Sequence, residues 1–283
     1  LLRYGPQTTG GVINLISAPI PDKQKGYVEA VTNDRGSTDV HATYGDTNGD
    51  WGYLFETVQR SAQGFKDIDR SNRNSGFDIS DYVGKLRWQG ERQSVTAKLQ
   101  YSEETSNSTY VGLTDADFNQ DPNRRYGLSS LDQMDNTHSG VSLTHQFEWS
   151  DNVSSTTTLY RNDFKRNWYK LSGAGNIIGQ ANAGDANAQG ILDGTIDASG
   201  LEYKNNARDY LSQGVQTNFD VNIGNHEFDF GARAHEDEMD RFQPVDVYDQ
   251  VNGSLVFQNS VAPTGSNNRF ETGEALSFWA LDT

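Results

Sequence analysis

The sequence predicts an all-β chain, part of a transmembrane antiparallel β-barrel, from three observations. Composition is the first: of 283 residues, 11% are aromatic, 28 are glycine and only six are proline, a profile of many strands joined by turns. Hydrophobic residues make up 34% and the mean hydropathy is −0.75, too little for a large dry core. The second is alternation, cleanest where Val95, Ala97, Leu99 and Tyr101 interleave with Thr96, Lys98, Gln100 and Ser102. The third is the order of the connections, which after the third strand alternate long and short.

The chain opens on Arg3-Tyr4-Gly5-Pro6-Gln7-Thr8-Thr9-Gly10-Gly11-Val12-Ile13-Asn14-Leu15-Ile16-Ser17. A polar turn ending in two glycines feeds a short β-branched strand, and Pro19 and Pro21 end it. Gly26 to Asp34 alternates as a first strand, and Arg35-Gly36-Ser37 turns it into a second around Val40, Ala42 and Tyr44. After a tight turn at Asp46 to Asp50 come a third strand, Trp51 to Arg60, and a polar loop from Ser61 to Asp78. The fourth strand runs from about Ile79 to Gln89, and Gly90-Glu91-Arg92 turns it into the fifth, Ser94 to Glu103.

A loop of roughly thirty residues precedes a sixth strand, in which Val141, Leu143, Phe147 and Trp149 alternate with polar residues, and Ser150-Asp151-Asn152 turns it. The seventh spans Val153 to about Arg166, with its phase left open by Thr156-Thr157-Thr158. A Gly/Ala/Asn-rich loop of roughly forty residues extends to Arg208. The eighth strand carries Val215, Thr217, Phe219 and Val221 on one face, and Gly224-Asn225 turns it into Phe228, Phe230, Ala232 and Ala234 of the ninth. A last loop, Asp240 to Asn268, precedes the tenth.

This parity of loop lengths separates a membrane barrel from a β-sandwich, because a barrel has short turns on one side and recognition loops on the other. Trp51, Trp88 and Trp149 adjoin short turns and Trp279 lies near the same end of the last strand, where amphipathic indoles would meet a membrane interface. Alternation alone also fits a small soluble barrel of opposite sense, apolar inside and polar outside. No window approaches the ~20 apolar residues of a membrane helix, but barrel strands need only ~10 with alternate positions apolar.

Several functions are disfavoured. A formal charge of −16 with no basic run repels nucleic acid, and the absence of cysteine removes disulfides and thiolate metal sites. His41, His138, His145, His226 and His235 show neither metal-ligand spacing nor a nucleophile elbow, so no catalytic residues, cofactor or bound metal are expected. Asp115-Ala116-Asp117 and His235-Glu236-Asp237-Glu238 read as acidic clusters on or beside loops, solvated or open to calcium.

The opening stretch resembles the end of the plug domain in TonB-dependent outer-membrane receptors, and its Arg-Tyr-Gly-Pro-Gln form is most similar to the ferric dicitrate receptor group. Gly64-Phe65-Lys66-Asp67-Ile68-Asp69 and Tyr110 to Phe118, with Asp121-Pro122 and Arg124-Arg125-Tyr126, resemble loop segments of the same receptors. The resemblance implies the plug's C-terminal end over residues 1–21 and the first part of a barrel over 22–283, about ten of the 22 strands such a barrel has. It also breaks the tie between the two barrel senses. A signal peptide, a TonB box and the other strands are expected in flanking sequence.

The implied function is energy-coupled import of a ferric chelate, ferric citrate or a siderophore, across the outer membrane of a Gram-negative bacterium. Its implied partners are the chelate, membrane lipid and an inner-membrane TonB complex. Anionic, oxygen-rich chelates call for arginine forks, so cations must cluster locally against the overall charge. By match to the family, Gln7 is a contact at the plug apex and Arg3 bridges plug to wall, while Arg166 and Arg269 match ligand-contacting arginines at outer strand ends. Arg269 faces the lumen if Leu276, Phe278 and Ala280 face lipid; Arg166 is a surface cation instead if Tyr160 and Phe164 face lipid. Arg124 and Arg125 are loop candidates for the same site. Two alternatives stay open, a TonB-dependent transporter of a glycan or cobalamin and a soluble β-rich adhesin or lectin.

Overall fold

The computed structural model describes residues 15–34 and 36–283. Among these a sheet of thirteen strands contains a meander of ten, each hydrogen-bonded antiparallel to the next. The meander is β1 (Lys25–Thr32), β2 (Ser37–Asn48), β3 (Trp51–Ala62), β5 (Phe77–Gln89), β6 (Gln93–Ser106), β8 (Gln133–Ser150), β9 (Val153–Leu171), β11 (Arg208–Ile223), β12 (His226–Phe242) and β15 (Asn268–Asp282). Two short strands, β4 (Asp67–Ile68) and β7 (Arg124–Arg125), form a separate parallel pair. Tight turns at 49–50, 90–92, 151–152 and 224–225 lie at one end of the meander. Gly49 and Gly224 take the left-handed φ of +59° and +63° that two-residue hairpins require.

Register sorts the wall into two faces. Tyr53, Leu86, Ala97, Leu143, Leu159, Val215, Ala234 and Leu276 are consecutive cross-strand partners, an apolar row eight strands wide. Its outer limit falls at Tyr82 and Tyr101 on β5 and β6, at Val141 on β8, and at Leu159, Val215, Ala234 and Leu276 beyond. The limit thus steps toward the short-turn end across the rows, as a belt level with a membrane must on tilted strands.

The opposite face is polar, and the chain leading into the wall lies against it. Lys85 Nζ donates to the carbonyls of Ser17 and Ala18 at 3.2 and 2.5 Å, and Thr47 Oγ1 donates to that of Pro21 at 2.6 Å. Ile20 packs over Gly52, where a Cβ would come within 2.9 Å of Ile20 Cγ2. The sense is that of a polar interior.

Trp51 and Trp88 are direct partners on the apolar face beside their turns. Trp279 departs from the expected interfacial position. It turns to the polar face, is buried over the bare backbone of Gly231, and donates its indole N–H to Asp229 Oδ1 at 3.0 Å.

Two of the expected loops are structured. The segment after β9 folds into α2 (Ala174–Asn182), α3 (Ala186–Asp193) and β10 (Ala198–Asn205); the segment after β12 forms the hairpin β13 (Val245–Val251) and β14 (Ser254–Val261). A short helix, α1 (Asp115–Gln120), precedes β7. Lys204 pairs with Lys170 and Arg208 with Arg166, so β10 and β11 hold one register against β9. Likewise β12 and β13 form one interrupted strand, broken at Gln243 and Pro244, where proline offers no N–H.

These elements make a cap at the loop end of the wall. Its core holds Val111, Tyr126, Leu128, Leu171, Ala174, Leu192, Leu201 and Tyr203, all buried. Asp185 caps α3 through the N–H groups of Asn187 and Ala188.

Candidate functional site

The loop end of the polar face carries a ladder of four arginines. Arg166 on β9, Arg208 on β11, Arg241 on β12 and Arg269 on β15 are successive cross-strand partners, with Asn136 on β8 at one end. At ~4.8 Å per strand the row spans roughly 14 Å. Like charges placed directly opposite one another destabilise a sheet, so a negative charge against this row would stabilise it.

The described residues supply little compensation. Arg269 Nη2 meets Glu271 Oε1 at 2.8 Å, Arg241 Nη1 donates to the Ser266 carbonyl at 3.2 Å, and Arg208 Nη1 donates to the Tyr210 hydroxyl at 3.3 Å. The Nε groups of Arg166, Arg208 and Arg241 are buried with no hydrogen-bond partner among the described residues, as are Trp168 Nε1 and Asn136 Oδ1 beside them. Unpaired buried donors cost ~1–3 kcal/mol each, so a ligand rich in oxygen acceptors would relieve several penalties at once. Planar guanidinium forks suit carboxylates and similar bidentate acceptors.

The expected site residues separate into distinct groups. Gln7 and Arg3 lie outside the described residues. Arg269 is on the polar face, and Leu276 and Phe278 on the same strand are 68% and 70% exposed on the other. Arg166 is also on the polar face, because Tyr160 and Phe164 turn there with it rather than toward lipid. Tyr160 Oη lies 2.6 Å from His235 Nδ1 and accepts from Arg233 Nε at 2.8 Å, a polar network that fixes the phase the threonine run left open.

Arg124 and Arg125 lie in the cap, away from the ladder in the sheet register. Arg124 engages Asp69, Asp117 and Asp193 at 2.8, 3.1 and 2.7 Å, and stacks on Tyr126. The hydrogen bonds it donates to Asp69 raise its pKa above the usual arginine value, against a smaller opposing effect of burial. Burial pushes the Asp117 carboxyl up, but donors on Tyr126, Gln189 and Thr114 and the charge of Arg124 more than offset it and hold it below the usual carboxylate range. Arg125 donates to the carbonyls of Pro122 and Arg124 at 2.9 and 2.5 Å. Through β4 and β7 the two arginines join the Gly64–Asp69 and Asp121–Tyr126 segments into one body.

Arg208 and Arg241 were not singled out by sequence, although half of the signal was available. The two-residue turn at Gly224-Asn225 pairs Ile223 with His226, and counting back along both strands sets Arg208 opposite Arg241. The acidic clusters resolve differently from expectation. Asp117 is committed to Arg124, and residues 235–238 sit within β12, with His235 and Asp237 on one face and Glu236 and Glu238 on the other. Among the described residues no group of three or more His, Cys, Asp or Glu could hold a metal ion.

Fold and site together define a segment of barrel-type wall whose polar face, at its loop end, carries a row of four arginines. Solved structures share this fold. The unliganded ferric citrate transporter FecA matches 99% of this chain with a TM-score of 0.65 at 18% identity, the match covering 38% of that protein. The siderophore receptor PiuA from Acinetobacter baumannii matches 94% with a TM-score of 0.62 at 10% identity, covering 41% of its chain. The ferric yersiniabactin uptake receptor FyuA from Yersinia pestis matches 96% with a TM-score of 0.59 at 11% identity, covering 45%. The chain therefore spans about two fifths of the length of these structures. No protein-family model and no curated protein matches the sequence. At such identities the likeness establishes the fold, that of the barrel wall in these receptors.

Proposed function

We propose that the chain is part of a TonB-dependent receptor in the outer membrane of a Gram-negative bacterium, and that it imports an anionic ferric chelate such as ferric citrate or a carboxylate-rich siderophore. On this reading residues 1–21 end a plug, 22–283 begin a 22-stranded barrel, and an inner-membrane TonB complex supplies the energy. The observation that carries the reading is the arginine ladder, four guanidinium groups in one row, three of them with a buried Nε that has no partner among the described residues, in a chain whose net charge is −16. A neutral glycan would leave those charges uncompensated, and a soluble adhesin would not expose the apolar row of Leu86, Leu143, Leu159 and Leu276. Gln7, at the plug apex by resemblance, and the four arginines would hold the ligand, with Arg124 and Arg125 building the cap beside it.

The test is titration of the full-length receptor in detergent with ferric citrate and with a neutral hydroxamate chelate. Arg208→Ala and Arg241→Ala should each weaken ferric citrate binding by roughly 10- to 100-fold, the worth of a charge-assisted hydrogen bond. Gln7→Ala should weaken it without altering barrel assembly. Equal affinity for both chelates, or wild-type affinity in both arginine variants, would reject an anionic cargo.

A further inference from the structure

Outward of the ladder, two columns of side chains continue along the same face. On β9, Arg166, Trp168 and Lys170 occupy alternate positions; on the interrupted strand opposite, Arg208, Asn206 and Lys204 do the same in one unbroken register. Lys170 and Lys204 are thus direct cross-strand partners, a second like-charged pair above the first. Four residues along a strand is ~13 Å of backbone, so the two tiers are distinct in position although their charges still act on one another.

Neutral groups hold both lysines. Lys204 Nζ donates to Asn267 Oδ1 at 2.7 Å, while Lys170 Nζ rests on the rings of Tyr110 and Trp168, 3.4 and 3.9 Å from their centroids. Burial, and then the charges of neighbouring arginines, depress both ammonium pKa values. Between the two tiers the indole N–H of Trp168 is buried and unpartnered. Ammonium groups are compact, hydrated point charges without the fork geometry of arginine, suited to catching an anion and letting it go.

We infer that Lys170, Lys204 and the Trp168 indole form a second anion station, separate from the arginine ladder, that catches the ligand first and passes it inward. The order of transfer rests on the reading that the ladder holds an anionic chelate; the station itself does not. Lys170 is stowed on its two rings, and an arriving carboxylate draws it off them and takes the Trp168 N–H. Trp168 therefore reports the event.

The experiment is stopped-flow fluorescence on the full-length receptor, with Trp168→Phe as the blank and two probes, ferric citrate and metal-free citrate. Lys170→Met with Lys204→Met should slow ferric citrate association about tenfold while changing equilibrium affinity less than about threefold, and should abolish the Trp168 signal. In Arg208→Ala with Arg241→Ala, tight binding is lost but metal-free citrate still moves Trp168 saturably. A lysine variant that loses affinity as severely as the arginine variant, with no change in association rate, makes the two tiers one site and overturns the station. Metal-free citrate that leaves Trp168 unmoved in the unaltered receptor overturns it as well. If no ferric chelate binds but citrate still moves Trp168 through the lysines, the station stands and the chelate reading falls.

Discussion

Leu159 and Leu171 lie on one strand and point to one side of it, yet Leu159 is 50% exposed and Leu171 is wholly buried. The difference is in what covers the sheet. At the height of Leu159 the wall offers a continuous apolar row with none of the described residues packed against it, as the lipid-facing belt of a membrane barrel would. At the height of Leu171 the same side of the sheet is covered by α2, α3 and the Tyr126–Leu128 segment. On the proposed membrane reading one strand serves two solvents, and the wall and cap derive their stability from different sources. Lipid is fluid and adapts to the wall; the cap is a packed interior in which every atom has a fixed neighbour.

The strongest way to break this comparison is to remove the centre of the cap's polar network. Arg124→Ala leaves Asp69, Asp117 and Asp193 facing one another without their shared cation, and should cost the cap about 4 kcal/mol. Limited proteolysis should then cut within residues 172–205 while the barrel keeps its resistance to detergent. Simultaneous loss of both would mean that cap and wall are one cooperative unit.

A pair of truncations sharpens the contrast. Leu128→Ala in the cap should cost about 3 kcal/mol, because it removes a fully buried side chain and leaves a cavity among Tyr203, Leu192 and Leu171. Leu143→Ala on the apolar row loses only the transfer free energy, about 1 kcal/mol, since lipid fills the space. Denaturant unfolding in bilayers, followed separately in cap and wall, measures both, and equal costs would show that the wall too has a rigid cover.

The wall was legible from sequence because alternation, tight turns and loop parity are local signals, and each hairpin turn sets its own register. Leu276, Phe278 and Arg269 divided as their spacing predicted. The cap was not legible, for a physical reason. Helices α2 and α3 are built from Ala, Asn, Gln and Gly with few apolar residues, and β10 is held by partners remote in sequence. Of the ladder, resemblance pointed to Arg166 and Arg269, while Arg208 and Arg241 emerged only from the strand register of the structure. The link between β9 and β11 crosses the cap, so no count along the chain could have aligned all four.

A third contrast is a pH dependence confined to the cap. Asp132 is buried beneath it, accepting from the N–H of Tyr110 at 2.8 Å and of Leu171 at 3.4 Å, and so ties the Tyr110 segment to the end of β9. Burial pushes its carboxyl up to about 6, against those hydrogen bonds and the charge of Arg73. Because the folded pKa exceeds the unfolded value of ~3.9, the folded cap holds more protons than the unfolded one between those values. Its stability should therefore fall as pH rises from about 4 to about 6, by on the order of 2 kcal/mol, and stay level above. Hydrogen exchange at the Tyr110 and Leu171 amides, corrected for intrinsic rates, should follow that slope, and Asp132→Asn should flatten it. The Leu99 and Val141 amides of the wall should show no matching change; a parallel slope there would mean that the titration reaches past the cap and that the two regions are coupled.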